Sequence, residues 1–206
     1  TGSLSSVEAP PGAPQDWVST PDHADFAFGT AAFTIEAWVR FRVNPTGSHG
    51  ILGQRAASNY AFTWYHNGGN LLTFAYTTDG STEIAVDRTW DPAADTWYHV
   101  AFSRSGETGK MFVDGTQIGL DYDFAGNSIY NSTSTFDIGA IDGVLNIIDG
   151  WIDEVRVSNN ARWTANFTPE SAAYTCADTN TKLLVHCDGA DASTTFTDDD
   201  TACAAA

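Results

Sequence analysis

Residues 33–43 leave this chain few folds to choose from. Phe33, Ile35, Ala37, Val39, Phe41 and Val43 alternate with Thr34, Glu36, Trp38, Arg40 and Arg42. Successive side chains of an extended chain point to opposite faces, so the segment reads as a strand with one apolar face. Residues 151–158 alternate too. That period puts Trp151, Asp153, Val155 and Val157 on one face and Ile152, Glu154 and Arg156 on the other. Two acids inside an apolar strand are unusual, because a buried carboxylate is costly unless it is paired or bound to a cation. Residues 17–21, 50–54, 60–66, 71–77, 83–87, 98–104, 110–113 and 136–139 also read as strands. Asn67-Gly68-Gly69-Asn70 marks a hairpin, since Asn and Gly tolerate positive φ, and Asp114-Gly115 marks a turn. No segment of ten or more residues carries a helical period with caps. The expectation is an all-β chain of two antiparallel sheets packed as a sandwich.

Three stretches, in order, carry a family resemblance. Phe33-Thr34-Ile35-Glu36-Ala37-Trp38-Val39-Arg40-Phe41 is the first. The second is Trp97-Tyr98-His99-Val100-Ala101-Phe102-Ser103-Arg104 with Lys110-Met111-Phe112-Val113-Asp114-Gly115. The third is Gly150-Trp151-Ile152-Asp153-Glu154-Val155-Arg156-Val157-Ser158, closed by Ala161-Arg162-Trp163-Thr164-Ala165-Asn166-Phe167-Thr168-Pro169. Together they resemble the laminin-G-like, concanavalin A-like lectin jelly rolls found in phage virion and bacterial surface proteins. The resemblance implies a two-sheet antiparallel jelly-roll sandwich over residues 1–175. Residues 176–206 form a C-terminal extension. Within it, Asn180-Thr181-Lys182-Leu183-Leu184-Val185-His186-Cys187-Asp188-Gly189 resembles the family's opening strand, with Cys187 where Phe is usual. A strand placed there is expected to complete this sandwich or a neighbouring one, because an open edge is normally paired or covered.

The chain has 206 residues, which suits a single sandwich able to bury roughly 70% of its unfolded surface. Lys and Arg number 9 against 26 Asp and Glu, a formal net charge of −17. Nucleic acid and anionic membranes both need a basic footprint, so neither is an expected partner. No apolar run is long enough for a membrane span and no signal peptide pattern appears, which points to no membrane insertion. The opening at Thr1 reads as that of a processed or truncated product.

Glucanases on the resembled fold need two carboxyls about 5–5.5 Å apart for retaining cleavage. Here the acidic strand offers only Asp153 and Glu154, adjacent and so on opposite faces, and no Glu-x-Asp-x-x-Glu occurs. The chain is therefore read as non-catalytic. The resemblance also implies a structural calcium ion between a first-strand acid and a last-strand acid, here Asp188 and Asp153. The alternative for Asp153 is capping of loop amides or pairing with an arginine. Sugar binding needs exposed rings beside polar groups. Trp38, Trp64, Tyr65 and Trp90 are the candidates, with ligand residues expected from loops 44–49, 66–70, 78–82, 121–133 and 141–149. Cys176, Cys187 and Cys203 fit no zinc spacing. One disulfide with a thiol left over, an intermolecular bridge, and three unlinked thiols all remain open.

The functional expectation is a carbohydrate-binding, adhesive module, extracellular on a virion or cell surface, with surface glycans as partners. The competing expectation is a purely structural decoration, fibre or filament subunit, a homo-oligomer whose partners are neighbouring subunits of the same assembly.

Overall fold

The computed structural model describes residues 17–142, 145–175 and 178–187, together with the backbone of Leu4–Ser6. Its strands are β1 (Leu4–Ser6), β2 (Val18–Thr20), β3 (Phe33–Phe41), β4 (His49–Ala56), β5 (Asn59–Asn67), β6 (Leu71–Thr77) and β7 (Glu83–Thr89). They continue with β8 (Trp97–Ser105), β9 (Thr108–Val113), β10 (Thr116–Gln117), β11 (Tyr122–Asp123), β12 (Phe136–Ile138), β13 (Gly150–Ser158) and β14 (Thr181–Val185). Among the described residues the helical content is a single 3-10 turn, Ala24–Phe26.

The larger sheet runs β1-β13-β3-β8-β9-β10, with β11 also on β9 and β14 also on β13. The smaller runs β2-β12-β4-β5-β6-β7. All pairings are antiparallel, so the chain is the expected two-sheet jelly-roll sandwich. The alternation of residues 33–41 explains the inner face of β3, where Phe33, Ile35, Ala37, Val39 and Phe41 are all fully buried. They meet Phe62, Trp64, Leu72 and Phe74 of the smaller sheet in one apolar cluster. The phenyl rings do much of the filling: Phe74 stacks on Phe102 with centroids 4.0 Å apart, and Phe28 on Phe33 at 4.2 Å.

The strict period expected for residues 151–158 does not hold. Ile152 pairs with Val39 and Asp153 with Trp38, but the next paired residue is Arg156, opposite Glu36. Glu154 takes φ +51°, and the register slips between Asp153 and Arg156. A bulge of this kind adds a residue to one strand and exchanges its faces. Ile152, Val155 and Val157 consequently all point into the core, while Trp151, Asp153 and Arg156 stand on the outer face. Asp153 Oδ1 accepts the Glu154 amide at 2.9 Å and supports the turned backbone.

The side of β13 away from β3 is shared end to end. β1 pairs with it from Gly150 to Ile152, and β14 from Val155 to Ser158. Leu183, Val185 and Cys187 join the core cluster from β14 and the residues after it.

Candidate functional site

The outer face of the larger sheet is crossed by the chain that follows β13. Thr34 Oγ1 donates to Asn160 O at 2.8 Å and accepts from Arg162 N at 2.9 Å, which seats the start of this tail on β3. Further along, Phe167 N donates to Gly115 O at 2.9 Å. Gly115 has φ +73°, and a Cβ there would lie 2.0 Å from Phe167 O, so the contact demands glycine. Arg162 is pinned from the other side by Asp178, at 2.9 and 3.0 Å.

Under the tail lies Glu36, with no exposed surface. Arg156 Nε donates to its Oε1 at 2.7 Å, and Trp163 Nε1 to its Oε2 at 2.9 Å. His99 Nε2 lies 3.2 Å from the same Oε2 and 2.8 Å from the Tyr174 hydroxyl. Burial alone raises the carboxyl's pKa, but the His99 hydrogen bond and the Arg156 charge outweigh it and hold Glu36 below its ordinary value. Burial likewise pushes the Tyr174 phenol up. Phe167 packs edge-on against His99 and Phe112, and the Trp163 indole stacks on Phe167 at 3.7 Å, 7° from parallel. The ring of Trp163 is thus fixed by one hydrogen bond and one stacking partner.

Beside it the sheet face opens into a cleft of about 260 Å³. Its floor is a block of small polar residues set by register: Ser103 opposite Lys110 and Ser105 opposite Thr108. Trp163 and Thr164 of the tail and Asp121 of the loop before β11 complete the lining. Lys110 Nζ donates to Asp121 Oδ1 at 2.5 Å and to Gln117 Oε1 at 3.2 Å. Gln117 Nε2 donates to the same Asp121 oxygen at 2.8 Å. The Lys110 hydrogen bond, then that of Gln117, holds the Asp121 carboxyl below its usual range. The cleft therefore offers an aromatic wall, four hydroxyls and one neutralised ion pair, an apolar surface beside convergent polar groups.

The residues expected from the sequence do not gather at one place. Trp38 is half-buried on the outer face, its ring edge-on to His99 at 5.5 Å. In the next row Arg40 lies 4.5 Å over the Trp151 ring and pairs with Asp95. Tyr65 is half-buried on the other sheet, opposite Thr73, where burial and then Glu83 push its phenol up. The expectation fails for Trp64 and Trp90 as ligand contacts. Trp64 is 0% exposed in the core, and Trp90 is 8% exposed and packed against Phe41, His66 and Tyr98. Trp163 and Lys110, noted in the sequence only as motif residues, form the cleft, and the expected loop 121–133 contributes Asp121.

Asp153 Oδ1 also accepts the Cys187 amide at 3.3 Å, in addition to that of Glu154, which is the amide-capping alternative. Calcium takes six to eight oxygens. Among the described residues no group of three or more His, Cys, Asp or Glu side chains could hold an ion. Asp188, Cys176 and Cys203 lie outside the described residues, and Cys187 is buried. Glu154 accepts the Tyr174 amide at 2.7 Å and lies 2.9 Å from His186 Nδ1. The cleft holds one carboxylate, Asp121, where glycoside cleavage uses two. Among the described residues, no helix is long and apolar enough to cross a membrane.

The fold is shared with a solved putative carbohydrate binding protein and with the binding domains of botulinum neurotoxins. A putative carbohydrate binding protein from Bacteroides ovatus superposes with a TM-score of 0.64 at 17% identity, over 84% of this chain and 49% of that one. The binding domain of botulinum neurotoxin serotype G gives 0.58 at 10% identity, over 77% and 39%. A botulinum neurotoxin type C structure, whose cell entry is described as dependent on two ganglioside molecules, gives 0.56 at 15%, over 78% and 43%. The chain spans about half or less of these relatives' lengths. No curated protein matches the sequence. A family model for the Concanavalin A-like lectin/glucanases superfamily, of laminin-G type, matches residues 11–166, and the chain belongs to that family.

Proposed function

We propose that this chain is a non-catalytic carbohydrate-binding module, adhesive on a virion or cell surface, and that its glycan sits in the Trp163 cleft. The observation that carries the reading is the fixed indole. One face of Trp163 is taken by Phe167, and its N–H is taken by Glu36, so the ring is pre-set beside Ser103, Ser105, Thr108, Lys110 and Asp121. A rigid ring gives a sugar's C–H face an apolar surface at little entropic cost, and the hydroxyls and the ion pair around it read the sugar's O–H groups. The carbohydrate-binding description of the Bacteroides relative supports the same class of ligand.

A glycan array with the full chain and two variants tests this. Trp163→Ala removes the wall. Ser105→Trp, at an exposed rim position, fills the cleft. Binding by the native chain that both variants lose, with Ser105→Trp keeping the native melting temperature, supports the reading. Array binding untouched by Ser105→Trp places the glycan elsewhere. Ordered polymers with no array signal favour the structural-subunit reading instead.

A further inference from the structure

Four neighbouring features of the cleft bear on which sugars it admits, given the carbohydrate reading above. First, Lys110 supplies the only cation in its lining, and that ammonium already donates to Asp121 and Gln117. Second, Asp121 Oδ1 accepts both Lys110 and Gln117, while no hydrogen bond holds Oδ2 among the described residues. Third, the remaining polar lining is hydroxyl: Ser103, Ser105, Thr108 and Thr164. Fourth, the surroundings add no spare positive charge. Asp123 stands opposite Thr108 and Glu107 is next to it in sequence, while the cations around the cleft are engaged elsewhere: Arg88 donates to Leu120 O, Arg104 lies over Phe124 and donates to Gly29 O and Gly106 O, and Arg162 is paired with Asp178. The chain as a whole carries −17.

An acidic sugar entering this cleft would bring a carboxylate to a site whose one ammonium is neutralised and whose accessible oxygen is anionic. Repulsion and an unpaired charge would both oppose it. A neutral sugar meets the opposite situation. One of its hydroxyls can donate to Asp121 Oδ2, and others can accept from the serine and threonine hydroxyls and the third Lys110 N–H. A volume of about 260 Å³ is enough for one pyranose ring.

We infer that the cleft selects one neutral pyranose and rejects sialic and uronic acids, the selection being made by the Lys110–Asp121 pair. Asp121 is a specificity residue whose carboxylate cancels the ammonium that an acidic sugar would need. Its side chain is 53% exposed, so replacing it puts little of the fold at risk.

Ligand-observed NMR and calorimetry on the full chain test the inference. The probes are the methyl glycosides of glucose, galactose and mannose, N-acetylglucosamine, glucuronic acid and N-acetylneuraminic acid. At least one neutral probe is expected to bind, with the acidic probes at least about fivefold weaker. Asp121→Asn, which leaves Lys110 without its counter-charge, is expected to weaken the neutral ligand and to strengthen glucuronic acid roughly fivefold, the scale of an exposed ion pair. That gain should shrink as salt is raised. Ser105→Trp should abolish binding of every probe. Acidic probes that bind the native chain as tightly as neutral ones, in a manner Ser105→Trp abolishes, overturn the selection and leave the cleft as a sugar site. An Asp121→Asn variant with the native preference does the same. No binding by any probe, or binding that Ser105→Trp leaves intact, removes the cleft reading itself and the selection with it.

Discussion

Trp163 Nε1 donates to Glu36 Oε2 across 2.9 Å, tying the aromatic wall of the cleft to a carboxylate with no exposed surface. The same carboxylate receives Arg156 and faces His99, so strand β3, strand β13, strand β8 and the tail meet at one side chain. A buried charge with these partners is weak evidence for net stabilisation, but removing one partner strands the others.

Glu36→Ala should therefore be strongly destabilising. It leaves the Arg156 guanidinium buried without its counter-charge and the Trp163 N–H without its acceptor. The expected loss is about 3–5 kcal/mol, the range for breaking a buried pair. Urea denaturation measures it. Glu36→Gln keeps an acceptor for Trp163 and should preserve glycan binding better than Glu36→Ala at temperatures where both remain folded. A loss below about 1 kcal/mol in Glu36→Ala would show that the node contributes little.

Acid should expose the same contacts. Glu36 and Asp178 both have folded values below their ordinary ones, Asp178 at about 2 through its Arg162 hydrogen bonds. In the window between the two values the unfolded chain binds more protons than the folded one, so stability falls as pH falls. The contribution is complete above the ordinary carboxylate range and is lost as pH drops through the folded values. These carboxylates should make urea midpoints decline from about pH 4 to about 2. That decline lies below an earlier, separate fall under about pH 7 from His66, whose pKa burial lowers so that the unfolded chain protonates it first. Asp178→Asn should flatten the lowest part of that decline. A midpoint independent of pH below 4 would contradict the assignment.

The strands were legible because period-two alternation survives wherever one face is buried, as in β3. The bulge at Glu154 was not. Nothing in Asp153-Glu154-Val155 announces an extra residue, and the face exchange is enforced by the partner register on β3 and by the Asp153 carboxylate on the Glu154 amide. Trp64 carried a usable signal, since it shares its parity with Phe62, whose side chain is core. Trp163 carried none by period, because it lies outside any strand. Its cleft is assembled from a hairpin, the loop before β11 and the tail, segments joined only by the fold.

The calcium expectation now separates into two measurements. Asp153→Ala removes the acceptor of the Glu154 and Cys187 amides, so it should lower the melting temperature whether or not calcium is present. The proposed ion, shared between Asp153 and Asp188, stabilises only by mass action. Calcium should then raise the melting temperature of the native chain, and Asp188→Ala should remove that rise. If added calcium and chelator leave the native melting curve unchanged, the ion is refuted, while the amide-capping role of Asp153 stands on its own variant.

The last prediction concerns β14, which pairs with β13 while Leu183, Val185 and Cys187 lie in the core cluster. We propose that residues 176–206 act as an extension whose strand closes a sandwich edge. Removing it uncovers the core beside Val155 and Val157 and leaves backbone groups of β13 unpaired, an edge open to other chains. Each buried Leu or Val side chain contributes about 1.5–3 kcal/mol, so a chain ending at residue 177 should lose several kcal/mol and tend to aggregate. The connection is held where it leaves and returns, with Asn159 N donating to Asn180 O at 2.9 Å and Arg162 bound to Asp178. That double hold favours closure within one subunit. A monomer in size-exclusion chromatography of the full chain is the expected result. A ladder of oligomers that survives dilution would mean that the strand closes the next subunit's edge. A truncated chain that stays monomeric, soluble and equally stable would refute the extension's role in either form.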